Sequence, residues 1–126
     1  LFPYTTLFRS GGLLFYAYMK LSRSYQKVIK STDTLVLVGD HSWGRNLAEC
    51  EKDLEYICNL PGRKILLRGN HDMFWDAKKT NQLNELYEGR LEFLQNNYYA
   101  YKEYALVGTK GYTFEGPFYL NQYRQV

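Results

Sequence analysis

Leu35-Val36-Leu37-Val38-Gly39-Asp40 and Ile65-Leu66-Leu67-Arg68-Gly69-Asn70 decide the fold of this chain, and His71-Asp72 extends the second stretch. Each stretch is an apolar run followed by glycine and a side chain that carries a ligating oxygen. Continuous runs of β-branched and leucine residues are typical of strands buried on both faces of a parallel sheet. The sequence therefore predicts strands over residues 34–38 and 64–68, with polar groups directly after their carboxyl ends.

An amphipathic helix separates these two strands. Asn46 is a typical helix N-cap, Glu49 three residues later suggests a capping box, and Pro61-Gly62 stops the helix after Asn59. The apolar face consists of Leu47, Cys50, Leu54 and Ile57. Strand, helix and strand in succession form a βαβ unit with parallel strands and a right-handed crossover. In such sheets the functional groups collect beyond the carboxyl ends of the strands.

The flanking segments predict further elements around this unit. Residues 20–31 have the spacing of an amphipathic helix. A second helix is expected over 76–87, with Asp76 as its N-cap and an apolar face of Leu83, Leu86 and Tyr87. Strands are expected over 92–101 and 103–107, with a bulge or turn at Asn96-Asn97, before a glycine-rich end that begins at Gly108.

Asp40, Asn70 and His71 are the residues best suited to metal-assisted hydrolysis. A carboxylate can bridge two cations, an amide oxygen ligates without adding charge, and an imidazole can donate a proton to a leaving oxygen. Each also has a simpler interpretation as a turn residue. His41 is either a loop histidine or part of the site, and Asp72 either caps the segment after His71 or orients its ring. The combination is more specific than its members, because both motifs end strands of one βαβ unit.

Gly39-Asp40, followed about thirty residues later by Gly69-Asn70-His71-Asp72, resembles the calcineurin-like metallophosphoesterase superfamily. The flanking residues 37–43 and 60–64 are similar to a bacterial branch of that family, as are residues 108–111. The resemblance covers roughly residues 20–120. It implies an α/β fold, part of the four-layer α/β/β/α sandwich in which two sheets are flanked by helices.

The same resemblance implies a function. Asp40 would bridge two divalent metal ions, which could be manganese, iron or zinc, and Asn70 would ligate the second ion. His71 would be the catalytic histidine near the phosphate of a small phosphomonoester or phosphodiester. The parent protein would be a metal-dependent phosphohydrolase.

Departures from the family pattern affect the expected ligand set. The family opens with an Asp-x-His motif and closes with further histidines, including a Gly-His-x-His motif. Here residues 1–32 contain no Asp, Glu or His, and no histidine follows His71. Residues 1–10 resemble the translation of a sequencing adapter, so we expect them to be non-native. Residues 11–126 would then be part of a domain that lacks its first strand and C-terminal part, and this chain alone would bind metal weakly and be inactive.

Composition excludes few other functions. The net charge of +3 is small, and the tyrosines at 98, 99, 101 and 104 lie among few basic residues, which favours strand packing over nucleic-acid stacking. Cys50 and Cys58 are too far apart along one helix for a disulfide, which favours a reduced, cytoplasmic protein. No apolar run is long enough to cross a bilayer, and the run at 13–18 lacks the cleavage site of a signal peptide.

Two other hypotheses remain open at this point. A non-catalytic binding or scaffold module would keep the fold and lack most metal ligands. A nucleotide-binding βαβ protein is disfavoured, because no glycine-rich phosphate loop is present. The substrate, the metal and the oligomeric state are not determined by the sequence.

Overall fold

The structure, a computed structural model, describes residues 24–25 and 27–111. The elements in chain order are β1 (Thr34–Leu37), α1 (Leu47–Cys58), β2 (Arg63–Leu67), a 3₁₀ helix (Ala77–Lys79), α2 (Thr80–Tyr87), β3 (Glu92–Leu94), β4 (Asn97–Tyr101) and β5 (Tyr104–Gly108). The segments 1–10 and 13–18 and the end of the glycine-rich region lie outside the described residues. Of the helix expected over 20–31, residues 24, 25, 27 and 28 are helical, whereas 29–31 are not.

The central βαβ unit is confirmed. β1 and β2 pair in parallel, with Val36 opposite Ile65, and β3 adds a third parallel strand on the other side of β2. The Asn46 side chain accepts a 3.0 Å hydrogen bond from the Glu49 amide, as expected of an N-cap. The Glu49 carboxylate, however, accepts from the amide of Arg45 rather than from that of Asn46. The α/β class predicted from the sequence is therefore confirmed.

The expectation that the first strand is buried on both faces is wrong. Val36 is 42% exposed and Val38 is 85% exposed, whereas Leu37 is buried. Among the residues that the structure describes, β1 is an edge strand of the three-stranded sheet, and Val36 of β1 and Val38 just beyond it lie outside the core. The central strand β2 does bury the side chains of two successive residues, Ile65 and Leu66, which point to opposite faces.

The second predicted helix is divided in two. Asp76 caps the 3₁₀ turn, where its side chain accepts a hydrogen bond from the Lys78 amide, and the α-helix begins only at Thr80. Leu83 is buried as expected, but Leu86 is 60% exposed and does not belong to the apolar face. The later start of the α-helix leaves a short helix whose buried side is narrow.

The chain passes from one sheet to another at Asn96. This residue has a left-handed backbone with φ of 58°, and β3 ends before it while β4 begins after it. β4 and β5 form an antiparallel hairpin in which Tyr99 lies opposite Leu106. The expected break at Asn96-Asn97 is therefore a change of sheet. Tyr99 is half-buried and its hydroxyl donates to the carbonyl of Phe93, whereas the tyrosines at 98, 101 and 104 are exposed. The strand packing expected for the four tyrosines therefore holds for Tyr99 alone.

The core lies between the three-stranded sheet and the helices. Its buried members include Leu54 and Ile57 of α1, Leu66 of β2, Trp75 and Phe93. Both cysteines are free, as predicted. Within residues 24–25 and 27–111, none of the helices combines the length and hydropathy that a bilayer span requires.

Candidate functional site

The two turns that follow β1 and β2 touch each other through backbone atoms. Gly39 has a φ of 98°, which favours glycine, and a Cβ atom there would lie 2.8 Å from the Cα of Gly69. A Cβ atom on Gly69 would lie 2.3 Å from the amide nitrogen of Asp40. Only glycine at both positions allows this approach, which brings the residues after the two strands together.

Asp40 lies at this contact and faces the second turn. Its backbone is left-handed, with φ of 56°, and its side chain is partly buried. One carboxylate oxygen, Oδ1, accepts a 3.1 Å hydrogen bond from the amide of His71. The other oxygen, Oδ2, makes no hydrogen bond within the described part of the chain.

Asn70 and His71 follow on the same turn, as the sequence predicted. Asn70 is exposed and His71 is partly buried. The imidazole of His71 stacks on the indole of Trp43, with ring centroids 4.6 Å apart and ring planes inclined by 11°. The structure therefore brings Asp40 and His71 together and places Asn70 between the Gly69 contact and His71.

Asp72 has neither of the two roles considered for it. It is buried, and its Oδ2 atom accepts hydrogen bonds from the amides of Asp40 (2.9 Å) and Gly69 (2.8 Å). Its Oδ1 atom accepts from the amides of His41 (2.7 Å) and Ser42 (3.3 Å). One carboxylate thus holds the backbone of both turns, and it neither caps the following segment nor binds the ring of His71. Charge-assisted bonds of this kind are stronger than neutral ones.

His41 is a buried structural histidine. Its Nε2–H donates to the carbonyl of Leu67 at 2.7 Å, and the same nitrogen is 3.9 Å from Oδ2 of Asp72. Burial lowers the pKa of His41, although the Asp72 carboxylate acts in the opposite direction. The neutral ring with its proton on Nε2 fits these contacts. Nδ1 is then an acceptor with no partner among the described residues.

Ser42 and Asp53 anchor the first turn to helix α1, a contact that sequence reasoning missed. The Ser42 hydroxyl donates to Oδ2 of Asp53 and accepts a hydrogen bond from the amide of Gly44. Asp53 is buried on the face that also carries Cys50, Leu54 and Ile57. A carboxylate on the apolar face of a predicted helix was the signal, because a buried charge requires a partner.

The chemistry of the donor set fits a divalent metal in part. The carboxylate of Asp40 and the amide of Asn70 offer oxygen ligands, which suit hard and borderline divalent ions. Residues 24–25 and 27–111 contain no group of three or more His, Cys, Asp or Glu side chains placed to hold a metal ion. The described residues thus offer two candidate oxygen donors, Asp40 and Asn70, and no closed coordination shell.

Comparison with known proteins gives the family. The model of the calcineurin-like phosphoesterases matches residues 14–126. The chain belongs to the calcineurin-like phosphoesterase family. Members of this family are phosphoesterases that generally depend on two metal ions and act on small phosphate esters. No curated protein and no solved structure gave a significant match.

The polar residues on the turns after β1 and β2 lie within the part of the chain that matches the calcineurin-like phosphoesterases. The match includes both turns, and the parallel strands with their helices are consistent with part of the family's α/β fold. The resemblance predicted from Gly39-Asp40 and Gly69-Asn70-His71-Asp72 is therefore confirmed at the level of the family. The individual roles of Asp40, Asn70 and His71 stay predictions.

Proposed function

We propose that the longer parent of this chain hydrolyses a phosphomonoester or phosphodiester, with Asp40 and Asn70 as metal ligands and His71 as the catalytic histidine. The observation that carries the proposal is the contact between the turns after β1 and β2, which holds the Asp40 carboxylate against the amide of His71. Family membership supports the class of reaction.

On this proposal each of the four polar residues has its own role in the reaction. Asp40 and Asn70 offer oxygen atoms to divalent ions, which when bound neutralise the negative charge of the phosphate oxygens. His71 has a partly exposed imidazole and donates a proton to the leaving oxygen of the ester. Asp72 touches no substrate and fixes the backbone from which Asp40 and His71 project.

We also propose that further ligands lie on segments of a longer protein, as the family pattern implies. The supporting sequence facts are the lack of Asp, Glu and His in residues 1–32 and of histidine after His71. On this proposal residues 11–126 are part of the domain and residues 1–10 are non-native. The free Cys50 and Cys58 support a cytoplasmic location, where thiols stay reduced.

The test is to recover the longer gene and to assay its product beside this chain. Hydrolysis of bis(p-nitrophenyl) phosphate and p-nitrophenyl phosphate is measured with and without manganese. We expect chelator-sensitive turnover of these esters in the longer protein and little turnover by this chain alone. On an alkyl phosphate, whose leaving oxygen must be protonated, we expect His71→Ala to lower kcat of the longer protein by about 100-fold or more. Asn70→Ala is compared with Asn81→Ala, an exposed asparagine on α2, which should leave kcat unchanged.

Two results would contradict the proposal. Saturable turnover by this chain alone, abolished by chelator and by His71→Ala, would show that the ligand set needs no further segment. A longer protein that turns over neither ester with manganese, iron or zinc would instead favour the binding-module hypothesis.

A further inference from the structure

The stacked pair formed by Trp43 and His71 is the contact from which a further role follows. Trp43 is 54% exposed, although one face of its indole covers the imidazole. Exposed tryptophan is uncommon in soluble proteins because the side chain gains free energy from burial. Trp75, the other tryptophan of the chain, is completely buried in the core. Packing against the hydrophobic core therefore does not explain the position of Trp43.

The backbone on both sides of Trp43 is fixed by buried partners. The amide of Ser42 donates to Asp72, and the hydroxyl of Ser42 donates to Asp53. On the other side, the amide of Gly44 donates to the Ser42 hydroxyl, and a Cβ atom on Gly44 would lie 2.5 Å from Sγ of Cys50. The indole thus projects from a short segment that is held at both ends.

The ring of His71 is held differently from its backbone. Its amide donates to Asp40, which fixes the main chain of the residue. Within the described residues the imidazole itself makes no hydrogen bond, and its close ring contact is the face of Trp43. The stack therefore restricts the orientation of the imidazole, and His71 as a whole stays partly exposed.

We propose that Trp43 is a positioning residue that holds the imidazole of His71 in the orientation needed to protonate the leaving group. The role rests on the proposed function of His71. A general acid must lie within hydrogen-bond distance of the leaving oxygen, and a displacement of about 1 Å can cost about 100-fold in rate. Loss of the stack should therefore affect the proton transfer and leave the binding of the ester unchanged.

The test uses substrates that differ in their need for an acid. The p-nitrophenolate ion leaves readily without a proton, whereas the leaving oxygen of an alkyl ester must be protonated as the bond breaks. For the manganese-loaded longer protein, we expect His71→Ala to lower kcat much more on an alkyl phosphate than on p-nitrophenyl phosphate. Trp43→Leu should show the same pattern in weaker form, with about a tenfold loss of kcat on the alkyl ester and an unchanged KM. Trp43→Phe keeps an aromatic face and should recover most of this loss, and Tyr98→Leu, an exposed aromatic residue on β4, serves as the control.

A second measurement needs no metal and no turnover. In this chain the ring current of Trp43 should shift the carbon-bound imidazole protons of His71 upfield in the NMR spectrum. Trp43→Leu should abolish that shift, Trp43→Phe should keep part of it, and Tyr98→Leu should leave it unchanged.

The outcomes separate failure of this inference from failure of the proposed function. Equal losses of kcat on both esters in Trp43→Leu, a change in KM alone, or unchanged His71 resonances would reject the positioning role. If His71→Ala itself shows no dependence on the leaving group, the assignment of His71 as the acid fails. A longer protein without any turnover would reject the proposed function, and the positioning role with it.

Discussion

The carboxylate of Asp72 binds three consecutive amides of one turn and one amide of the other. Its two oxygens accept from residues 40, 41, 42 and 69, so the whole hydrogen-bonding capacity of one buried side chain serves the backbone of the site. Amides that point inward at the end of a strand need such acceptors, because a buried donor without a partner is costly. At the scale of single residues, the two turns that carry the candidate site residues are therefore organised by one buried carboxylate.

His41 gives the protein a pH-dependent stability that can be measured. Burial lowers the pKa of His41 in the folded protein below the ordinary value of 6.5. When the pH falls below about 6.5, the unfolded chain binds a proton at this residue that the folded protein does not. The free energy of unfolding should therefore decrease, by at most about 1.4 kcal/mol per pH unit, until the lower pKa of the folded state is reached.

Urea unfolding between pH 5 and 8 measures this effect. The chain has two histidines, so His71→Gln is the matched control and should keep the pH dependence. His41→Gln should flatten the profile while lowering stability at every pH. A flat profile for the unmodified protein, or loss of the slope in His71→Gln instead, would show that His41 is not the group responsible.

At the scale of elements, the sequence predicted the βαβ unit because its signals are local. Apolar runs, the Asn46 cap and the Pro61-Gly62 stop each act within a few residues, and the structure keeps all three. Exposure depends on neighbours that are distant in sequence, so Val36 and Leu86 differ from expectation. The positions of Asp40 and His71 could be predicted because they follow the ends of two predicted strands. The hydrogen bonds of Asp72 to both turns and the stacking of His71 on Trp43 join residues distant in sequence, so only the structure shows them.

The contact between the two turns can be tested with a single methyl group. A Cβ atom on Gly69 would lie 2.3 Å from both the amide nitrogen and the Oδ1 atom of Asp40, so Gly69→Ala must push the turns apart. We expect it to lower the free energy of unfolding by about 1–3 kcal/mol, as overpacking does. Gly111→Ala is the control, because its Cβ atom would meet open space, and its effect should stay within about 0.5 kcal/mol. Equal stability of the two variants in urea unfolding would show that the turns do not touch as described.

At the scale of the molecule, Phe93 joins elements that would otherwise be separate. Its ring packs edge-on against Trp75 at 4.8 Å and lies 5.6 Å from the ring of Tyr87. Its carbonyl accepts hydrogen bonds from the side chains of Asn84 on α2 and of Asn97 and Tyr99 on β4. A residue of the parallel sheet thus contacts both the second helix and the hairpin, which suggests that the two sheets unfold together.

Replacing Phe93 tests whether the described part of the chain is one cooperative unit. Phe93→Ala removes a fully buried ring and should lower the free energy of unfolding by about 3–5 kcal/mol. Tyr98→Ala, at a position 69% exposed on the hairpin, should change it by no more than about 0.5 kcal/mol.

Unfolding is followed by the fluorescence of Trp75 in a Trp43→Phe background and by hydrogen exchange of the amides in β4 and β5. One transition that shifts for both probes in Phe93→Ala would support a single unit, because alanine keeps the carbonyl that binds β4 and removes only the ring that packs in the core. If the hairpin amides kept their protection while Trp75 became exposed, the two sheets would be independent, and the change of sheet at Asn96 would be a boundary between folding units.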